Sequence, residues 1–76
     1  MYFTKDEVID RIIIHLIRLG IANVRATWFK AYRSHFLFGW LQGLRDGRIP
    51  SHLVDMLMEH DVEVPHRYRP SAASRS

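Results

Sequence analysis

Apolar residues recur with the period of an α-helix along most of the chain, and this periodicity constrains the fold more than any other feature. The clearest case begins at Thr4, which is followed three residues later by Glu7, the spacing of a capping box. Gly20 stands where a helix commonly ends in a left-handed residue. The pattern predicts a first helix from Lys5 to about Leu19. Its apolar side consists of Val8, Ile9, Ile12, Ile13, Leu16, Ile17 and Leu19.

Two further helical patterns follow. Asn23 is a candidate N-cap for a second helix, and Ser34 is one for a third. The second helix would carry an apolar residue at every fourth position, namely Val24, Trp28 and Tyr32. The third would end at Asp46 and Gly47. Its apolar arc consists of Phe36, Leu37, Trp40, Leu41 and Leu44. The pattern leaves open whether these are two separate helices or one kinked rod.

Pro50 suits the first turn of a fourth helix. One side of that helix consists of Leu53, Met56, Leu57 and His60, with Val54 and Met58 beside them. Beyond it, Val62 and Val64 favour a brief extended arm. We therefore expect an all-α fold, a small bundle of three to four short helices. Residues 1–65 would form a single helical domain, and residues 66–76 a flexible basic tail.

Cysteine is absent, which excludes a disulfide framework and a thiolate metal site. No two of the five histidines lie three or four residues apart, so we expect no metal and no cofactor. His60, on the apolar side of the fourth helix, is expected to be hydrogen-bonded within the fold. No apolar run reaches the roughly 20 residues that cross a bilayer, and the first residues lack the basic-then-apolar order of a signal peptide. We therefore expect a cytoplasmic protein.

Charge is segregated along the chain, although the net charge is only +3. Residues 11–45 contain six basic residues and no acid, whereas residues 46–63 contain five acids and one arginine. Residues 66–76 add three arginines and no acid. Such segregation favours steering toward a charged partner, or head-to-tail association of two copies.

Two large apolar residues fall where a soluble monomer would place polar ones. Ile14 lies on the polar side of the first helix, and Phe38 lies away from the apolar arc of the third. Either a second element covers each of them, or they anchor a dimer or partner surface. Gly39 and Gly43, four residues apart, would let another helix approach closely, the alternative being a kink at Gly39. The candidate residues for self-association as a homodimer are Ile14, Gly39 and Gly43.

Catalysis has little support in the sequence. It lacks a nucleophile with a base and an orienting acid, and its glycines do not form a phosphate-binding loop. We therefore expect no enzyme and no small-molecule substrate. The chain is interpreted as a regulatory protein that inhibits or recruits a protein partner, an inhibitor or adaptor of the kind that phages or mobile elements encode. The candidate partner-binding residues are Arg25, Trp28, Lys30, Arg33, Phe38 and Arg45.

DNA binding is the alternative. Residues 47–70, GRIPSHLVDMLMEHDVEVPHRYRP, resemble the closing part of phage repressor-type helix-turn-helix domains, where a tryptophan-bearing recognition helix precedes a Gly-Arg-Ile-Pro-like turn and another helix. Trp40 stands a few residues further upstream than in that pattern, and residues 28–33 replace the expected small-residue helix and glycine turn. The resemblance implies that the third helix enters the major groove and reads bases with His35, Gln42 and Arg45. It assigns to phosphates Arg25, Lys30, Arg33 and Arg48.

Overall fold

The computed structural model describes residues 4–68, and these residues confirm the expected all-α fold. The helices in chain order are α1 (Lys5–Arg18), α2 (Ala26–Phe29), α3 (Ser34–Arg45) and α4 (Ser51–Glu59). A single 3-10 turn, His66–Tyr68, follows them. α1 packs against both α2 and α3. Residues 4–68 contain no strand, and none of their helices has the length and apolarity needed to cross a bilayer. Residues 69–76 of the expected tail lie outside the described part of the chain.

The first helix begins and ends where the sequence predicts. The amide of Glu7 donates to Thr4 Oγ1 at 3.3 Å, and the amide of Thr4 donates to Glu7 Oε1 at 3.2 Å, which completes the capping box. At the other end Gly20 has φ +94°, and the amide of Ile21 donates to the carbonyl of Leu16 at 2.9 Å. This is a Schellman motif, in which only glycine adopts the left-handed position without a steric cost.

The same terminal motif closes α3 and α4. Gly47, at φ +87°, follows α3, and the amide of Arg48 donates to the carbonyl of Gly43 at 3.1 Å. After α4 the left-handed position is held by Asp61 at φ 60°, and the amide of Val62 donates to the carbonyl of Leu57 at 2.9 Å. An aspartate tolerates this conformation better than most side chains do. The expected end of the third helix at Asp46 and Gly47 is therefore confirmed.

The residues predicted as N-caps of the second and third helices are not the N-caps in the structure. Arg25, not Asn23, is the N-cap of α2, and Arg33 is that of α3, with Ser34 as its first residue. Neither cap makes a side-chain hydrogen bond. α2 is only four residues long, because the chain turns at residues 30–33 instead of continuing the four-residue repeat. The two helices are therefore separate elements.

One hydrophobic core joins all four helices and the segments between them. Phe29 is completely buried (0% exposed), although the apolar repeat predicted for its helix omits it. Val24, Trp28 and Tyr32, which form that repeat, are only partly buried and pack against the core. The buried apolar residues are Val8, Ile9, Ile12, Leu16, Ile21, Phe29, Leu37, Trp40, Leu41, Leu44, Ile49, Leu53, Val54, Met56, Leu57, Val62 and Val64.

Three residues assigned to apolar sides are exposed, and two assigned to an arm are buried. Ile17 and Met58 face solvent, since each lies at the margin of its helix's packed side. Phe36 is 46% exposed, because one side of its ring borders an open groove. Val62 and Val64, expected in a brief extended arm, are buried in the core, after the turn at Asp61.

His60 differs from its expected position inside the fold. It is the exposed C-cap of α4, where its ring stacks on that of Trp28, with centroids 4.0 Å apart and an interplanar angle of 6°. The expected hydrogen bond is replaced by this aromatic contact, because the helix ends at Glu59 and its cap residue turns toward α2. The stack connects the end of α4 to α2.

The two glycines of α3 have different surroundings. A Cβ atom on Gly43 would lie 2.7 Å from Cγ and 3.1 Å from Cδ of Pro50, so this glycine permits a close approach. The approaching group is the proline that caps α4, not a neighbouring helix or a second copy. Gly39 is exposed, and a Cβ there would meet nothing within 4 Å. α3 runs without interruption through Gly39.

Replacing these glycines with alanine is expected to change stability in opposite directions. Gly39→Ala should raise the free energy of unfolding by up to about 1 kcal/mol, because alanine favours the helix and nothing obstructs its methyl group. Gly43→Ala should lower it by about 1 kcal/mol, because the clash with the rigid proline ring outweighs the same gain. Urea unfolding followed by circular dichroism measures both. Stabilisation by both substitutions would contradict the close approach to Pro50.

Candidate functional site

One side of α3 is exposed along its whole length. His35, Phe38, Gln42 and Arg45 are separated by three, four and three residues, so they form one continuous stripe at 100° per residue. We call these four residues the outer face of α3. Phe38 is 39% exposed, which confirms that no other element of the described chain covers it. The opposite side of the helix is buried through Leu37, Trp40, Leu41 and Leu44.

Basic residues lie on the segment that leads into this face. Arg25, Lys30 and Arg33 are all exposed, and Arg33 is the N-cap residue of α3. The carbonyl of Lys30 accepts a hydrogen bond from Lys5 Nζ at 2.8 Å, which links the segment to the first turn of α1. The positive end of the α3 dipole lies beside these side chains. The N-terminal end of α3 is therefore more positively charged than its C-terminal end.

The acids of α4 lie on another side of α3. Asp55 and Glu59 line a groove together with Phe36 and Trp40, which are about 140° and 180° around α3 from the centre of its outer face. The outer face of α3 and the carboxylates of α4 thus lie on different sides of the helix. The acids of α4 therefore do not lie beside the residues through which the resemblance expects α3 to contact bases.

Two of the predicted site residues have contacts within the fold. Arg48 Nη2 lies 3.8 Å from Asp46 Oδ2 just after α3, and both side chains are exposed, so this ion pair is weak. Trp28 is partly buried against the core, and one face of its ring is covered by His60. Trp28 therefore contributes to folding contacts and presents less surface to a partner than its sequence position implied.

The residues proposed for self-association do not form one surface. Ile14 is 49% exposed on α1, where Glu7, Asp10 and Arg11 surround it in a shallow depression of about 260 Å³. Gly43 is buried beneath Pro50 and is inaccessible to a second copy. Of the three candidates, Ile14 is the large exposed apolar residue around which an interface could form.

Sequence reasoning missed the groove between α3 and α4. It has a volume of about 380 Å³ and is lined by Tyr32, Phe36, Trp40, His52, Asp55, Met56 and Glu59. A repeat of aromatic residues every four positions was visible in the sequence at 32, 36 and 40, but it was divided between two helices and assigned to the core. Nothing in the sequence indicated that the polar side of the fourth helix would face it.

No family model matches the chain, and neither a curated protein nor a solved structure is detectably similar to it. Within residues 4–68 no three histidine, aspartate or glutamate side chains are grouped so that they could hold a metal ion.

Proposed function

We propose that the chain binds double-stranded DNA with the outer face of α3. The observation that carries this proposal is the exposed outer face of α3, which presents His35, Gln42 and Arg45 away from the carboxylates of α4. Gln42 and Arg45 are residue types that form paired hydrogen bonds with adenine and guanine edges. Phe38, which lies between His35 and Gln42 on the same face, is suited to contact a thymine methyl group.

Phosphate contacts would come from the exposed cations that precede and follow α3 along the chain, namely Arg25, Lys30, Arg33 and Arg48. Such contacts fix the register of a protein on the duplex, while base edges supply specificity. The resemblance of residues 47–70 to repressor-type domains supports this division, since the helix that precedes their Gly-Arg-Ile-Pro-like turn is the recognition helix and α3 holds that position here.

A fluorescence anisotropy titration of a labelled random-sequence duplex tests the proposal. Four phosphate contacts predict a slope of about −3.6 for log K against log salt, which is roughly 150-fold weaker binding at 200 than at 50 mM salt. Absence of binding at the lower salt concentration would contradict the proposal. Binding without salt dependence would contradict the assigned phosphate contacts.

The second candidate function is regulation of a protein partner, by inhibition or recruitment, through the same face. The exposed ring of Phe38 favours it, because aromatic and arginine side chains supply much of the binding energy of protein interfaces. The partner would carry an acidic or apolar patch. Failure of the DNA titration would make this candidate the one to pursue.

A homodimer through α1 is compatible with either function. If two copies of α1 pack antiparallel around Ile14, Asp10 of one copy faces Arg18 of the other, so the surface is self-complementary. Light scattering on the protein alone measures whether its mass corresponds to one chain or two. A mass of one chain at high concentration would exclude this dimer.

A further inference from the structure

The α3–α4 groove combines two kinds of wall. Tyr32, Phe36 and Trp40 form an aromatic wall, and α4 supplies the other from His52, Asp55, Met56 and Glu59. His52 lies three and four residues before Asp55 and Met56, and Glu59 lies four and three residues after them, so the four share one side of the helix. Apart from Tyr32, which lies in the turn before α3, the groove is therefore formed by residues of two helices.

The aromatic wall is partly fixed and partly open. Trp40 is 4% exposed, and Tyr32 packs edge to face against it, with ring centroids 4.9 Å apart and an interplanar angle of 60°. Phe36, one helical turn before Trp40, leaves nearly half of its surface open to solvent. Met56 is buried at the base of the groove. A ligand would therefore meet chiefly the exposed ring of Phe36, over an apolar base.

The charged residues of the groove favour a positively charged ligand. Asp55 and Glu59 are exposed carboxylates at its edge, and the lining contains no lysine or arginine. Anions such as nucleic-acid phosphates or acidic lipid headgroups would be repelled. A planar cation fits best, because guanidinium groups stack on aromatic rings and form paired hydrogen bonds with carboxylates.

We propose that the α3–α4 groove binds an arginine side chain presented by an apolar segment of a partner protein. The guanidinium lies over Phe36 and pairs with Asp55 or Glu59, while its methylene stem and the flanking apolar residues contact Phe36 and Met56. The site adjoins the outer face of α3 at His35, whose ring centroid lies 4.6 Å from that of Phe36, whereas Gln42 and Arg45 lie on the side of α3 away from the groove.

The experiment uses the full chain labelled with ¹⁵N and the blocked peptide Ac-Leu-Arg-Ala-Leu-NH₂. We expect a dissociation constant of about 0.1–1 mM, as is usual for one anchoring side chain. The indole N–H signal of Trp40 should shift on titration, and that of Trp28 should not, the two signals being assigned with Trp28→Phe. The same peptide with citrulline in place of arginine should bind at least about tenfold more weakly, because it lacks the charge.

Matched variants decide whether the groove is the site. Asp55→Asn with Glu59→Gln, and separately Phe36→Ala, should each weaken arginine-peptide binding about tenfold. The control is Asp61→Asn with Glu63→Gln, which removes two carboxylates from the neighbouring segment outside the groove and should leave binding unchanged. Equal weakening by both carboxylate pairs, or equal affinity for the citrulline peptide, would overturn the proposal.

Two further results would distinguish this proposal from binding of a second copy and from the proposed DNA binding. If the chain dimerises and the arginine peptide dissociates the dimer, the groove belongs to a second copy of the chain and the assignment to a partner protein is wrong. Gln42→Ala, on the outer face of α3, should weaken DNA binding and leave arginine-peptide binding unchanged, so loss of DNA binding and loss of peptide binding can be told apart.

Discussion

Phe29→Ala is expected to abolish the cooperative unfolding transition of the domain or to lower its midpoint by more than about 15 °C. Removing a buried phenylalanine side chain costs about 3–5 kcal/mol. A domain of this size has a total stability of roughly 4–11 kcal/mol, so this loss is a large part of it. For so short a chain each kcal/mol corresponds to about 4–8 °C in the midpoint. Thermal unfolding followed by circular dichroism at 222 nm, where helices absorb, is the measurement.

The matched control for this experiment is Phe36→Ala. It makes the same chemical change on a ring that is 46% exposed instead of completely buried. We expect a loss of no more than about 1 kcal/mol, since little apolar surface returns to water and no closed cavity forms. If both variants lose the same stability, the complete burial of Phe29 is wrong.

Lys30→Gln with Arg33→Gln is expected to have the largest effect on DNA binding. Removing two of four phosphate contacts should reduce the salt slope from about −3.6 to about −1.8. Binding should then weaken only about 12-fold between 50 and 200 mM salt, and affinity at the lower concentration should fall by at least about tenfold. Glutamine preserves most of the side-chain length, so the effect reports charge. Anisotropy titration of the same duplex measures both quantities.

A second double variant separates specific placement from net charge. Arg18→Gln with Arg67→Gln also removes two exposed cations, but neither lies on α3 or on the segment that leads into it. Its salt slope should stay at about −3.6. Identical slopes for the two double variants would show that binding depends on overall charge and would contradict the outer face of α3 as the site.

Local signals predicted the elements whose ends are fixed locally. The capping box at Thr4 and the glycines at 20 and 47 determine hydrogen bonds within a few residues, so the bounds of α1 and the end of α3 could be obtained from sequence. α4 also ends in a Schellman motif, but Asp61 occupies the position where glycine is expected. The end of α4 therefore could not be recognised from a glycine in the sequence.

Tertiary contacts determine what sequence reasoning could not predict. A four-residue helix such as α2 has no stability of its own, so its bounds depend on packing against the core. The burial of Phe29 followed from that packing and not from a periodic pattern. The α3–α4 groove likewise joins residues that lie more than ten positions apart, and only the fold brings their side chains together.

The two tryptophans have different surroundings, because His60 stacks on Trp28 whereas Trp40 is buried in the core. Their fluorescence therefore reports on different contacts. Trp40 is enclosed in the core, so its emission changes when the core opens to water. Trp28 lies near the surface under an imidazole ring, so its emission changes when the end of α4 separates from α2. Tryptophan emission spectra recorded during unfolding would therefore show, without an added label, whether the end of α4 separates from α2 before the core is exposed to water.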